Sequence, residues 1–285
     1  MVEKLGEGVT WFNVGDQVFG QGDPVYPTPD ASGLQEYAIL DAEASAQIPA
    51  GFTPDDMVTF PINATTSFEA LFHSNGFGFP APFTTVQKPR VFEPATQTIV
   101  IIGGGSNVGK LAIQFAKIAG IGRIITIASA RNEAHLRSLG ATHIVDRHAT
   151  PPAIAQQILE IVPGRVTHVF DCVSWEFSLA LSIVSPVRSS TILTLHPAKN
   201  GVQLATERGL TDCSVRFING NNDYLRPLLK QFWVDFPRWV EQGKIAVPKY
   251  RVIEGLNLEL IEAGLDSYRD GSPVIPVVVH PLVGN

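Results

Sequence analysis

Between residues 98 and 195, apolar runs of strand length alternate with segments of helical period, and this alternation constrains the fold most strongly. The alternating segments are Thr98–Ile102, Val108–Ala119, Arg123–Ile127, Asn132–Leu139, Ile144–Asp146, Ile154–Val162, Val166–Asp171 and Thr191–Leu195. Strands that are apolar throughout are typical of parallel βαβ units, in which helices cover both faces of the sheet. The sequence therefore predicts an α/β domain with a doubly wound parallel sheet.

The first two helices of this region carry recognisable ends. Apolar residues in Val108–Ala119 recur at the spacing of one helix face, and Gly120 is placed to cap the carboxyl end. Asn132 is a residue type that favours the N-cap position, and Gly140 stands where the second helix should stop. We therefore expect Asn132 to cap the second helix.

The bulk composition is that of a globular protein, with 285 residues, 45% hydrophobic residues and 17% charged residues. This length is enough for about two domains of ~150 residues each. The formal charge of -6 comes without acidic or basic runs, so neither nucleic acid nor a membrane is an expected partner. The sequence shows neither an apolar signal core at Met1–Gly6 nor a run long enough to span a bilayer, so we expect a cytoplasmic protein. A small-molecule substrate is expected, and a homo-oligomer is left open.

The two cysteines, Cys172 and Cys213, form no CxxC pair and no cluster with histidine at metal-ligand spacing. We therefore expect no bound metal and no disulfide. Cys172 lies in the apolar run His168–Val173, where an inert core thiol is favoured over a reactive one.

The remaining regions define the domain organisation. Residues 1–95 contain short strand signals broken by turns and predict an antiparallel β domain, with a proline-rich linker from Pro80 to Pro94. Residues 96–225 form the predicted α/β domain, and residues 226–285 form a mixed tail. In that tail we expect an aromatic helix interrupted at Pro237, a helix over Leu258–Tyr268 and a strand over Val274–His280. The aromatic stripe is expected to belong to the core.

A glycine-rich loop, Gly103–Gly109, joins the first strand of the α/β domain to its first helix. Glycines let the backbone turn tightly and approach a pyrophosphate, and a helix N-terminus offers N–H groups to phosphate. The literal G-x-G-x-x-G string is absent, but the strand before the loop and the helix after it match the required context. The loop predicts a Rossmann dinucleotide site, and an ordinary glycine-rich turn is the alternative.

The end of the second strand indicates which dinucleotide is bound. An NAD site places Asp or Glu there to hold the ribose hydroxyls, whereas this chain has Ser129, Arg131 and Asn132. An Arg guanidinium can pair with a 2′-phosphate through two hydrogen bonds, so the predicted cofactor is NADPH. The alternatives are that Arg131 only solvates a turn, or that Glu133 holds the ribose instead.

Five segments carry a family resemblance: Val14–Gly20, Pro61–Thr66, Gly103–Gly109, Ser138–Thr142 and Phe170–Ser174. In this order they resemble the medium-chain dehydrogenase/reductase superfamily, in particular its zinc-independent quinone reductase and fungal trans-acting enoyl reductase-like branch, which includes zinc-type alcohol dehydrogenase-like proteins. The resemblance covers essentially the whole chain.

The resemblance implies a GroES-like β domain in residues 1–95, completed by the tail, next to the Rossmann domain. It also implies hydride transfer from NADPH to an activated double bond, a quinone or an aldehyde. Two departures are visible: Gln21–Leu34 has no cysteine where zinc-containing relatives have a cysteine-rich lobe, and Met1–Val9 resembles the middle of the β domain. We therefore expect an incomplete β domain without its N-terminal strands. A non-catalytic NADPH-binding protein is the alternative to an enzyme, and another Rossmann-type enzyme such as a methyltransferase is a weaker one.

The resemblance also implies a set of cofactor-binding residues. They are Thr66, Gly103, Gly104, Gly105, Ser106, Asn107, Val108, Ser129, Arg131, Asn132, Arg147, Cys172, Val173, Ser174, Leu195 and His196. Thr66 is expected near the nicotinamide, and Ser106 to Val108 on the pyrophosphate. Arg147 stands where the family often has Tyr, and it can stack on adenine or meet the phosphate. His196 is the best-placed candidate for a general acid, and an ordinary polar cleft residue is the alternative.

Overall fold

The computed structural model describes residues 1–22, 28–83, 92–163, 166–198, 200–220, 222–267 and 275–281. The strands are β1 (Val18–Gly20), β2 (Ser45–Gln47), β3 (Thr98–Ile102), β4 (Arg123–Ala128), β5 (His143–Asp146), β6 (His168–Asp171), β7 (Ser190–Thr194), β8 (Cys213–Phe217), β9 (Arg251–Glu254) and β10 (Val277–His280). The helices are α1 (Pro54–Val58), α2 (Pro61–Phe72), α3 (Asn107–Ala119), α4 (Glu133–Leu139), α5 (Pro151–Ile161), α6 (Ser178–Ile183), α7 (Gly201–Glu207), α8 (Asn222–Glu241) and α9 (Leu258–Asp266).

The chain forms two compact units. Asn63–Gly220 makes up one of them, and Met1–Ile62 together with Asn221–Asn285 makes up the other. The sequence placed a change of domain at residues 95 and 96, whereas the division by contacts falls at Ile62 and Asn63. Helix α2 accounts for the difference, because its Phe68 and Phe72 pack on Phe115 of α3 inside the α/β unit.

The α/β unit is built on a six-stranded parallel sheet with the strand order β5-β4-β3-β6-β7-β8. The order reverses between β3 and β6, which is the switch point of a doubly wound sheet. Side chains alternate across β3: Val100 and Ile102 join a core cluster with residues of α5 and α6, while Ile99 and Ile101 point to the opposite face. The predicted Rossmann-like fold is confirmed.

Residues 1–62 contain less β structure than the sequence predicted. Within the described part of this segment, the antiparallel pairing is limited to β1 and β2, three residues each. Helix α1 was not predicted, although its signal is present: Thr53 and Asp56 form a reciprocal capping box, and Pro54 occupies the first turn. Helix α2 was also missed because it is buried continuously from Ala64 to Phe72 and shows no polar face.

The tail differs from the prediction at Pro237. Helix α8 runs through this proline without interruption, so the expected break is wrong. The physical reason is tertiary packing, because Phe236 of α8 packs against Phe19 and Phe60. These rings and the nearly inaccessible Trp239 confirm that the aromatic stripe is core.

Two predicted elements of the tail and the predicted proline-rich linker extend beyond the residues that the structure describes. Helix α9 ends at Asp266 and strand β10 begins at Val277, whereas the predicted ends at Tyr268 and Val274 lie outside the described residues. Strands β9 and β10 pair in parallel. Most of the predicted proline-rich linker, residues 84–91, also lies outside the described part.

Candidate cofactor site

The loop after β3 has a backbone that requires glycine. Gly103 has a φ of +85°, in the left-handed region, and a Cβ at this position would meet the side chain of Val173. The N–H groups of Gly103 and Gly104 donate to the carbonyl oxygen of Ile127, at 3.0 and 3.3 Å. These bonds fix the loop to the end of β4.

Three glycines of the loop differ in how much space surrounds them. A Cβ on Gly104 would collide with the hydroxyl of Thr126, and one on Gly109 would collide with the backbone of Gly103. By contrast, a Cβ on Gly105 would lie 3.2 Å from Nδ2 of Asn132, the end of a movable side chain. Gly109 therefore lets α3 pack tightly on the loop, as the predicted phosphate site requires.

Helix α3 begins directly behind this loop. The Ser106 hydroxyl accepts a hydrogen bond from Gly109 N–H at 3.0 Å and caps the helix. The N–H groups of Asn107 and Val108 belong to the first turn, where a helix supplies no acceptor of its own. A close-packed glycine-rich loop directly before a helix N-terminus is a suitable site for the pyrophosphate of a dinucleotide. The residues of Gly103–Gly109 therefore fit this cofactor group.

The turn after β4 departs from the prediction in one respect. Asn132 occupies the N-cap position of α4, as predicted, but its side chain makes no capping hydrogen bond, and Ala130–Asn132 form a turn of 3-10 helix. The Asn132 amide lies against Gly105. The turn is therefore in contact with the glycine-rich loop Gly103–Gly109, and it also carries the half-buried Ser129 and the exposed Arg131. Arg131 makes no side-chain hydrogen bond or ion pair with any described residue.

A carboxylate that the sequence interpretation missed stands near this turn. Asp146, the last residue of β5, accepts hydrogen bonds through Oδ1 from the N–H groups of Ala130 at 3.4 Å and His148 at 3.3 Å. The next residue, Arg147, is exposed. The sequence signal was available, because parallel strands β4 and β5 end at the same edge of the sheet. Glu133, the alternative ribose ligand, is engaged by Arg137 at 2.8 Å.

The residues after β6 form a tight turn around a buried carboxylate. Asp171 accepts through Oδ1 from the N–H groups of Val173 at 3.1 Å and Ser174 at 2.9 Å. Burial raises the pKa of Asp171, and these two hydrogen bonds partly offset the rise. Burial also raises the pKa of the Cys172 thiol well above its ordinary value, as expected for an inert core thiol.

The residues after β7 are positioned by a buried threonine. The hydroxyl of Thr194 accepts from His196 N–H at 3.1 Å, which holds the half-buried Leu195–His196 segment at the strand end. The His196 ring stacks on the indole of Trp175, which follows β6 and was missed by the sequence interpretation. The stack thus places the predicted residue His196 beside the residue that directly follows the predicted segment Cys172–Ser174.

A hydrogen bond connects helix α2 to the glycine-rich loop Gly103–Gly109. The Ser67 hydroxyl donates to the carbonyl oxygen of Val108 at 2.9 Å. The neighbouring Thr66 is buried and lies directly against Gly220, where a Cβ would collide with the threonine hydroxyl. Gly220 has a φ of +67° and follows β8. Thr66 therefore belongs to the same edge of the α/β unit as the loop.

Two properties of the described residues bear on other functions. Among the described residues, no group of three or more His, Cys, Asp or Glu side chains lies close enough together to hold a metal ion. Among the helices of the described part, each is too short or too polar to cross a membrane.

Comparison with known proteins identifies relatives and structural neighbours. The profile of the family described as zinc-binding dehydrogenase matches residues 107–196. A trans-enoyl reductase of Aspergillus japonicus is 29% identical over 293 residues, covering 98% of this chain and 78% of the relative. The solved structure of the CurK enoyl reductase superposes with a TM-score of 0.71 at 20% identity, covering 97% of this chain and 75% of that one. A mycobacterial protein solved in complex with NADPH superposes with a TM-score of 0.68 at 19% identity, covering 98% of this chain and 80% of that one.

Proposed function

We propose that the chain, which belongs to the medium-chain dehydrogenase/reductase superfamily of oxidoreductases in its enoyl reductase-like branch, is an NADPH-dependent reductase. Its substrate is a small molecule with an activated double bond, a quinone or an aldehyde, and the reaction uses no zinc. The unit formed by Met1–Ile62 and Asn221–Asn285 serves as the substrate domain. The trans-enoyl reductase relative supports a conjugated double bond as the acceptor.

One observation carries the choice of cofactor: the turns after β3 and β4 meet where Asn132 lies against Gly105. Arg131 is the preceding residue, so its guanidinium is attached to the turn that contacts the phosphate loop. A 2′-phosphate bound there is expected to pair with Arg131. Asp146 opposes this preference as a like charge, but Arg147 adds a second cation beside it. Two cations and one carboxylate leave the turn favourable to phosphate.

When bound, NADPH supplies the hydride chemistry, and the chain supplies binding and orientation. The Gly103–Gly109 loop and the first turn of α3 hold the pyrophosphate, while Ser129, Arg131 and Asn132 hold the 2′-phosphate. Thr66 and the Cys172–Ser174 segment orient the nicotinamide end. His196, fixed by Thr194 and stacked on Trp175, is the proposed proton donor to the reduced substrate.

Steady-state oxidation of NADPH with a panel of enals, enoyl thioesters, quinones and aldehydes tests this function. We expect turnover with at least one acceptor class, with NADPH preferred over NADH. Binding of NADPH without turnover of any acceptor would instead identify a non-catalytic NADPH-binding protein. A methyltransferase would show no NADPH binding.

Elemental analysis tests the proposed independence of zinc. Protein purified without chelator is expected to contain far less than one zinc per chain, because Cys172 and Cys213 belong to no His/Cys grouping in sequence and Gln21–Leu34 contains no cysteine. One zinc per chain would contradict the proposal and favour alcohol dehydrogenation.

A further inference from the structure

Glu69 is a fully buried acidic residue in the middle of α2. Its Oε2 accepts from the N–H of Gly220 at 2.8 Å, and its Oε1 accepts from Nδ2 of Asn75 at 3.3 Å. The N–H of Asn219 also donates to this carboxyl. None of the cofactor contacts proposed above uses Glu69, so its burial needs another explanation.

The partners of Glu69 fit the ionised form of the carboxyl. An ionised carboxylate only accepts hydrogen bonds, and Gly220, Asn219 and Asn75 all donate. A protonated carboxyl would present an O–H to this set of donors. Burial raises the pKa of Glu69 above its ordinary value, and the three hydrogen bonds to the carboxyl offset part of that rise. The donor set therefore indicates a buried negative charge.

The Glu69 carboxylate lies on one side of the point where the strand order of the sheet reverses. Gly220 follows β8, so Glu69 lies toward the side of β6, β7 and β8. In a doubly wound fold, the dinucleotide lies across the carboxyl ends of the strands, with its two nucleotides on opposite sides of the switch point. The adenosine half belongs with β4, where Arg131 stands. The nicotinamide half therefore belongs on the side where Glu69 is buried.

We propose that the buried Glu69 carboxylate favours the oxidised over the reduced nicotinamide and so makes bound NADPH a stronger hydride donor. This inference rests on the proposed function. Loss of a hydride, which carries two electrons and one proton to the acceptor, leaves a positive charge on the nicotinamide ring. A fixed negative charge in a poorly hydrated region stabilises that ring without touching it. Glu69 also holds Gly220 against Thr66, which keeps both elements in place.

The ratio of the dissociation constants for NADP⁺ and NADPH measures this effect without any turnover. In Glu69→Gln, calorimetry should show NADP⁺ binding weakened relative to NADPH by roughly threefold or more, because unit charges interact appreciably over about 10–15 Å in a protein. Glu69→Asp keeps the charge and should keep a ratio closer to that of the wild type. A purely structural role would weaken both forms equally and leave the ratio unchanged, which would overturn the inference.

Glu133→Gln is the matched control, because it removes the same charge from an exposed residue on the adenosine side. Its ratio should equal that of the wild type, since the two redox forms share the adenosine half. A ratio shift in Glu133→Gln as large as in Glu69→Gln would overturn the inference. If the wild type binds neither form, the proposed function fails and this inference fails with it.

A measurement on the wild type covers the case in which the Glu69 variants do not fold. Carbon-13 NMR of the protein labelled at glutamate carboxyls should show the Glu69 carboxyl ionised at pH 7. A glutamate carboxyl that stays protonated at pH 7 would overturn the inference, because no other described glutamate is fully buried.

Discussion

The indole ring of Trp175 stacks on the imidazole ring of His196, with ring centroids 3.7 Å apart and planes inclined by 18°. Trp175 is 75% exposed, so the imidazole covers part of an otherwise solvated ring. The preceding turn contains Val173, whose side chain packs on Gly103 of the phosphate loop. The stack therefore lies close in sequence and space to the proposed cofactor site.

This placement predicts a fluorescence signal for cofactor binding. NADP⁺ should change the emission of the wild type, because a ligand on the phosphate loop alters the surroundings of Trp175. In Trp175→Phe, most of this change should disappear while the affinity stays within about tenfold, since the stack contributes roughly 0.5–1.5 kcal/mol at most. An equal emission change in the variant would show that another tryptophan reports binding.

The packing of the glycine-rich loop Gly103–Gly109 predicts that two neighbouring glycine-to-alanine substitutions reduce the free energy of unfolding by different amounts. In Gly109→Ala the new methyl group meets the backbone of Gly103, which cannot move cheaply, so we expect the free energy of unfolding to fall by about 1–3 kcal/mol. In Gly105→Ala the methyl group meets only the end of Asn132, and a loss below about 1 kcal/mol is expected. Denaturant unfolding measures both. Equal losses would contradict the close approach of α3 to the loop.

His280 predicts a pH-dependent contribution to stability. Its Nε2 lies 2.8 Å from Asp55, and its Nδ1 lies 3.2 Å from Glu254, and these contacts raise the pKa of His280 above its ordinary value of 6.5. Because the folded pKa is the higher one, the stabilisation is present below about pH 6.5 and is lost as pH rises through the folded pKa. His280→Gln should therefore lower the unfolding free energy at pH 6 and have less effect at pH 9.

The size of that effect should stay below about 1 kcal/mol, since the His280 side chain is 38% exposed and solvent screens its ion pairs. His148→Gln is the control, because the His148 side chain makes no contact with an acidic side chain in the described part of the chain. A His280→Gln effect that grows with pH would contradict the assigned ion pairs.

The α/β unit could be predicted because its strands and helices differ in hydrophobic period. Segments such as Thr98–Ile102 and Val108–Ala119 carry that period in the local sequence. Helix α2 could not be found this way, because burial of Ala64–Phe72 on all sides erases any amphipathic pattern. The passage of α8 through Pro237 depends on packing with Phe19 and Phe60, which are remote in sequence.

The site was predictable where backbone requirements dictate residue type. The tight turn at Gly103 and the close approach at Gly109 leave a glycine signature in the sequence. Contacts between distant side chains leave no such signature in the sequence. Trp175 and His196 follow different strands, and Glu69 accepts a hydrogen bond from Gly220, which is 151 positions away in the chain. The sequence placed Asn132 correctly at the N-cap position of α4, but it did not show that the Asn132 amide lies against Gly105 and makes no capping hydrogen bond.

The cofactor preference is measured by a calorimetric titration of NADPH and NADH into the wild type and Arg131→Ala. A charge-assisted hydrogen bond contributes roughly 1.5–3 kcal/mol, so one good contact between Arg131 and the 2′-phosphate gives a preference of tenfold or more. The wild type should bind NADPH at least about tenfold more tightly than NADH. Arg131→Ala should weaken NADPH binding and leave NADH binding nearly unchanged. Equal affinity of the wild type for both cofactors, or equal weakening of both in the variant, would contradict the account.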